Sequence, residues 1–371
     1  HTRLPTSYCM AFFQRRRLHK LQMKEYTTNH VRNVVLVGHG GSGKTSLVEA
    51  MLHTSGATTR LGRVEDGSTV ADYEDEERNR KMSIRTALVA CEYQDHKINL
   101  LDTPGFTDFV GEVKSALQVA DAAIVVIDAV AGVEVGTEMV WDYCDEHNLP
   151  RFVVINKLDR DNANFQKALT SVQQLASNKK LIPVTLPWGE KSDLKGVIGL
   201  LSQRAWPGAG SKTENIPAEY EDAVAAARVE LEEAAAEGDD ELLMRYLDGE
   251  ALSPDEIEHG FKAAVLAGSC APVLVASATK EIGIAALLLS ISRYLPSPAE
   301  RPAISAEAGK GSEQIEANDS GPQAVFAFKT TADPFVGRLT YLRVMSGVLE
   351  SDSRIQNHSH KAEERIGTLH V

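Results

Sequence analysis

The chain has 371 residues, 43% of them hydrophobic, and carries 52 acidic against 39 basic side chains for a formal charge of -13. That is enough apolar material for one large core and two or three domains, while the acidic balance argues against wholesale attachment to nucleic acid or an anionic membrane through the general field of the chain. Cys9, Cys91, Cys144 and Cys270 are scattered with no CxxC pair, so reduced thiols without a disulfide partner in a cytoplasmic setting are expected, and no run approaches the roughly 18 apolar residues of a membrane span.

The first residues, HTRLPTSYCMAFFQRRRLHKLQ, are rich in Arg and free of acid. Two readings stay open for this leader of about 30 residues: an organellar targeting segment, or upstream sequence ahead of a natural start at Met23. From Arg32 onward short apolar runs recur in chain order: VVLV at 34–37, INLLD at 98–102, AAIVVID at 122–128, FVVIN at 152–156 and VLVAS at 273–277. Runs that are apolar throughout, without alternation, are what strands buried on both faces require, so the expected class is α/β with a parallel sheet covered by helices. Between the runs, SLVEAML places Leu47, Val48, Met51 and Leu52 on one helical face, and EVKSALQVA and TEMVWDYCDEH read the same way. Met51 and Trp141 are expected in the core.

The alternation stops after Arg160, and roughly a hundred residues precede the last core strand, which is too long for an ordinary connection. An inserted subdomain is expected over about 162–268. Its acidic, Ala-rich middle (218–247) reads as helix with a solvated face, and Ser253-Pro254-Asp255-Glu256 is a capping box opening another helix. The Pro-, Gly- and charge-rich stretch 299–321 reads as a linker. AVFAFKT and RLTYLRVMSGVL then look like antiparallel strands that begin a β domain over 322–371, too short to close a barrel.

Gly38-His39-Gly40-Gly41-Ser42-Gly43-Lys44-Thr45 satisfies GxxxxGK[ST] between a buried strand and an amphipathic helix. Glycines let the backbone N–H groups wrap phosphates, and the helix that continues through Ser46 adds its positive end. Lys44 is expected to neutralise β- and γ-phosphate oxygens and Thr45 to hold Mg²⁺. Asp102-Thr103-Pro104-Gly105 follows a buried strand, as a carboxylate for the Mg²⁺ shell should; the Gly105 N–H is placed to sense a γ-phosphate, with Phe106 next to it. Lys44, Asp102 and Gly105 are the expected catalytic groups. In Asn156-Lys157-Leu158-Asp159, the Asp159 carboxylate matches the two donors of guanine, which adenine lacks on that edge. The Lys157 stem is expected over the base and Asn156 against the phosphate loop, while at Ser277-Ala278 the Ala278 N–H is expected to meet guanine O6. An ATPase or kinase reading fails on Asn156 to Asp159.

These motifs resemble the translational GTPases of the elongation factor G type. The resemblance runs over residues 30 to 371 and includes GHGGSGKT, DTPGFTDFVGEV, NKLDRDNANF, the insertion, and TADPFVGRLTYLRVMSG. It implies a P-loop G domain over 31–298 with its inserted subdomain, a β-barrel domain that starts after it, GTP as substrate and GDP as product with Mg²⁺, no separate exchange factor, and the ribosome as partner of a monomeric protein through domains after residue 371. Arg80-Lys81-Met82-Ser83-Ile84 aligns with the family's Arg-Gly-Ile-Thr-Ile, which makes Ser83 a further Mg²⁺ ligand beside Thr45 and Asp102. Two departures stand out. Gly41 replaces an Asp associated with a monovalent cation, so that cation is not expected. Phe106 replaces the His that orients the attacking water, which leaves open a slow GTPase or a GTP-dependent binding switch, and resembles the divergent elongation factor G-like branch.

Overall fold

The computed structural model describes residues 3–4, 24–176, 178–308, 311–333 and 337–369. In chain order it contains β1 (Arg3–Leu4), β2 (Val31–Val37), α1 (Lys44–Thr54), α2 (Asp75–Arg80), β3 (Ala87–Tyr93), β4 (His96–Asp102), α3 (Val110–Leu117), β5 (Ala122–Asp128), α4 (Val135–Glu146), β6 (Arg151–Asn156) and α5 (Phe165–Leu175). There follow β7 (Lys180–Pro183), β8 (Thr185–Trp188), β9 (Gly196–Gly199), β10 (Arg204–Pro207), α6 (Glu221–Ala236), α7 (Asp240–Leu247), α8 (Pro254–Ala267), β11 (Cys270–Val275), α9 (Ile284–Tyr294), β12 (Ile304–Ala308), β13 (Gly311–Ile315), β14 (Ala324–Asp333), β15 (Gly337–Ser346) and β16 (Leu349–Glu350). Most of the expected leader, with Cys9, and residues 334–336 of the second-domain motif lie outside the described residues.

The central sheet has seven strands in the order β3-β4-β2-β5-β6-β11-β7. All its neighbours run parallel except the edge pair β3–β4. Successive residues of β2 alternate between two covered faces. Val34 and Leu36 join Leu47, Met51 and Leu52 of α1, together with α8 and α9, while Val35 and Val37 join Val113 and Leu117 of α3 and Trp141 of α4. Burial on both sides explains the unbroken apolar runs, and each fully buried Val or Leu contributes about 1.5–3 kcal/mol relative to exposure. Met51 and Trp141 sit in this core.

The segment expected as an insertion gives β7 to the central sheet before it departs. It then forms the antiparallel sheet β10-β9-β8 and helices α6 to α8. Ser253 closes its capping box with Glu256, and Gly268 ends α8 in the left-handed region at φ 74°. The stretch expected as a linker contains a hairpin, because β12 and β13 pair from Ile304↔Ile315 inward. Among the later strands, β14 pairs antiparallel with β15, and β1 with β16.

Strands β14 and β15 dock on the central domain through polar contacts. Phe328 O accepts the Ser115 hydroxyl of α3, Lys329 Nζ donates to Glu112 Oε2 at 2.9 Å and to Thr86 O at 2.7 Å, and Arg343 Nη2 reaches Asp121 Oδ1 at 2.6 Å.

Candidate nucleotide-binding site

The expected motifs meet at the carboxyl ends of β2, β4, β6 and β11, the edge where open parallel sheets hold ligands. The loop between β2 and α1 follows its glycines. Gly43 sits at φ 95°, and a Cβ there would lie 2.4 Å from Asn156 Nδ2. Gly38, at φ 146°, presses so closely on β5 that a Cβ would lie 2.5 Å from Val126 O. No other residue type satisfies both demands. Helix α1 then begins at Lys44, with Thr45 and Ser46 in its first turn. Lys44 Nζ donates to Gly38 O at 2.9 Å and His39 O at 3.0 Å, so the ammonium lies inside the loop. His39 Nδ1 accepts the Gly136 N–H at 3.3 Å, which joins the loop to the start of α4.

The segment after β4 lies against this loop. Thr103 Oγ1 donates to Leu36 O at 2.6 Å, Pro104 is buried, and a Cβ on Gly105 would meet Lys44 Nζ at 2.5 Å and Gly40 N at 2.7 Å. Phe106 is 45% exposed, and its ring covers Gly40 so closely that a Cβ there would stand 3.1 Å from the ring. The absence of a side chain at Gly40 is what makes room for the phenyl group.

Asp102 is 1% exposed, and neither carboxylate oxygen makes a hydrogen bond among the described residues. Burial, and next the charge of Asp72, push its carboxyl up against the pull of the Thr45 hydroxyl and the Lys44 ammonium; burial pushes Lys44 down. Thr45 Oγ1 and Ser83 Oγ stand 3.0 Å apart, and Ser83 donates to Asp72 Oδ1 at 2.7 Å. The donor set is therefore all oxygen, with an unsatisfied buried carboxylate, and it fits a hard divalent cation such as Mg²⁺.

Asp72 was not among the expected residues. It lies in the acidic stretch ADYEDEER, where one buried carboxylate has no local mark. Two further acids place it. Glu49 Oε1 on α1 accepts the N–H groups of Val70 and Ala71, and the two Glu77 oxygens accept those of Tyr73, Glu74, Ile84 and Arg85. Lys81 adopts φ 55°, a left-handed conformation that glycine takes most readily.

At the expected base reader, Asn156 Nδ2 donates to Ser42 O at 3.1 Å, and its Oδ1 accepts the Ala278 N–H at 3.1 Å. The Ala278 N–H, expected to face a purine carbonyl, is thus engaged by Asn156. Ser277 Oγ donates to Asp159 Oδ1 at 2.7 Å and holds that carboxylate at the rim. Lys157 Nζ reaches Gly41 O at 2.6 Å and Asp128 Oδ2 at 2.7 Å; Asp128, the last residue of β5, was also not singled out in the sequence. Burial would raise the Asp128 carboxyl, but the Lys157 ammonium and the Val130 N–H outweigh it and hold it below the usual carboxylate range.

Residues 29–297 match the family model of the elongation factor Tu GTP binding domain. The chain is 38% identical over 348 residues to elongation factor G of Fervidobacterium nodosum, which takes in 92% of this chain and 50% of that protein. A crystal structure of a Thermus thermophilus protein superposes with a TM-score of 0.81 at 36% identity, covering 91% of this chain and 48% of that one. The chain thus spans about half the length of the relatives it matches. It belongs to the family of translation factors that carry the elongation factor Tu GTP-binding domain, and within that family to the elongation factor G type.

Proposed function

We propose that this protein binds GTP and GDP with Mg²⁺ and hydrolyses GTP slowly, as the nucleotide-driven part of a cytoplasmic, monomeric factor that works on the ribosome and is most like the divergent elongation factor G-like branch. The observation that carries this reading is the Asn156 side chain, which ties Ser42 of the phosphate loop to Ala278 of the base-side loop while Asp159 stands beside it. Phosphate and guanine subsites are thereby held at a fixed spacing.

The loop from Gly38 to Thr45, continued by Ser46, wraps the phosphates, and Lys44 offsets charge on the β- and γ-phosphate oxygens. Thr45, Ser83, Asp102 and the neighbouring Asp72 would hold Mg²⁺, directly or through water, which when bound screens the phosphate charge. Water attacks the γ-phosphorus as the bridging bond to the β-phosphate breaks, giving phosphate and GDP. The Gly105 N–H steadies the γ-phosphate. Phe106 offers no hydrogen bond to the attacking water, and loss of a positioning group of that kind commonly removes about 10²–10⁴ in rate. Movement at Ser83 and Gly105 on loss of the γ-phosphate reaches β14 and β15 through α3, by way of the Glu112–Lys329 and Ser115–Phe328 contacts.

Phosphate release from GTP, measured with and without ribosomes on the protein and on Phe106→His, tests this reading. Slow release that the substitution accelerates by roughly 10-fold or more supports it. Release indistinguishable from buffer in every arm, by a GTP-loaded protein, would leave a binding switch in its place.

A further inference from the structure

We infer that Asp128 is a positioning residue for guanine-nucleotide binding, and that through Lys157 it clamps the base-reading loop onto the phosphate loop. The inference rests on the guanine-nucleotide reading above and extends it to a residue outside the sequence motifs.

Lys157 is the joint between the two subsites. It follows β6 with its backbone at φ 64°, an unfavourable conformation for a residue with a Cβ, and such a conformation persists only where the surroundings enforce it. Its stem passes the phosphate loop: a Cβ on Gly43 would lie 3.6 Å from Lys157 Cε, and Nζ ends on Gly41 O at 2.6 Å. A single hydrogen bond from a flexible four-carbon stem leaves much rotamer freedom. Asp128 Oδ2, 2.7 Å from the same ammonium, removes that freedom and supplies the opposite charge.

The carboxylate is itself held from two sides. Its Oδ1 accepts the Val130 N–H at 2.8 Å in an Asx turn that ends β5. Asp128 stands opposite Asn156 in the parallel register, and the Ala129 N–H donates to Asn156 O at 2.9 Å. The side chains of Lys157 and Asp128 are 28% and 16% exposed, so water screens the pair only in part. The chain from Asp128 through Lys157 to Gly41 thus joins the ends of β5 and β6 to the loop after β2.

Asp128 does not approach the Asp159 carboxylate through any of these contacts. Its effect therefore falls on how long a nucleotide stays, and the choice of base remains with Asp159. Fluorescent GDP release in Mg²⁺, followed by stopped flow on the full chain, separates these roles. For Asp128→Asn the expected result is release faster by roughly tenfold, with the affinity ratio of GDP to xanthosine diphosphate unchanged. Lys157→Ala should also speed release, and the double variant should be no faster than Lys157→Ala alone, since Asp128 acts through that ammonium. Asp128→Ser, which keeps an acceptor for the Val130 N–H, replaces the Asn variant if that one fails to fold. Release at the wild-type rate, or effects of the two substitutions that multiply, would overturn the inference while guanine binding stands. Failure of the wild-type protein to bind GDP would overturn the reading beneath it.

Discussion

Replacing Arg343 with Met removes the guanidinium from one of the most buried charge pairs in the molecule. Its Nη2 lies 2.6 Å from Asp121 Oδ1, another N–H donates to Val119 O, and the two side chains are 8% and 2% exposed. Asp121 Oδ2 accepts Asn33 Nδ2 at 2.7 Å, and Asn33 Oδ1 accepts Asn99 Nδ2 at 2.8 Å, so the pair ends a polar chain that reaches the strands leading to the phosphate loop and to Asp102. Without Arg343 the carboxylate keeps the Asn33 donor and the charges of Arg301 and Arg32 nearby, so the about 3–5 kcal/mol cost of removing one partner of a buried pair is an upper bound. Undocking β14 and β15 to rehydrate Asp121 would cap the loss, so protease access to those strands should rise together with a lower urea midpoint. Pairing Arg343→Met with Asp121→Asn removes the stranded charge and keeps an acceptor for Asn33; at least half of the lost stability should return. Urea unfolding followed by tryptophan fluorescence reads the central sheet through Trp141 of α4 and the inserted sheet through Trp188 and Trp206, with no tryptophan in β14 or β15 themselves. A loss below about 1 kcal/mol for the single variant, or a double variant no more stable than it, would refute the reasoning.

Further consequences concern the site and the insertion. Gly43→Ala forces a Cβ to within 2.4 Å of Asn156 Nδ2 at φ 95°, and should weaken GDP binding by more than roughly 10²-fold in a fluorescent titration. Asp159→Asn exchanges a carboxylate acceptor for an amide and should move the base preference from guanine toward xanthine by about 10²-fold; unchanged competition by the two nucleotides would count against Asp159 as the base reader. The Glu256 carboxyl is held down to about 2 by the Arg245 hydrogen bond and then by those from Ser253. Its folded value lies below the unfolded value of about 4.3, so its contribution is present above that pH and is lost as pH falls through the folded value. The stability gap between wild type and Glu256→Gln, followed by circular dichroism in an acid titration, should close across that window.

The strands buried on both faces were legible because their apolar runs are unbroken, and α8 because Ser253, Pro254 and Glu256 mark its start. Strand β3 escaped because it lies at the antiparallel edge, where ALVACEY is covered only in part. Strand β7 was hidden by its brevity and by Pro183, and the hairpin of β12 and β13 by a composition that suits a linker equally well. In the site, Gly43, Lys44 and Asn156 were readable because each residue type is demanded by a local geometry. Asp72 and Asp128 were not, since a carboxylate becomes distinctive only when folding brings Ser83 or Lys157 to it. The engagement of the Ala278 N–H by Asn156 likewise depends on contacts 122 residues apart.

Guanine recognition is the claim on which the rest depends, and competition against fluorescent GDP on the Mg²⁺-supplemented chain measures it directly. Asp159 and the Asn156 bridge require GDP and GTP to displace the probe at concentrations at least ~10³-fold below ATP, because adenine offers the Asp159 carboxylate no donor pair on that edge. Displacement by ATP at the same concentration as GTP would contradict it.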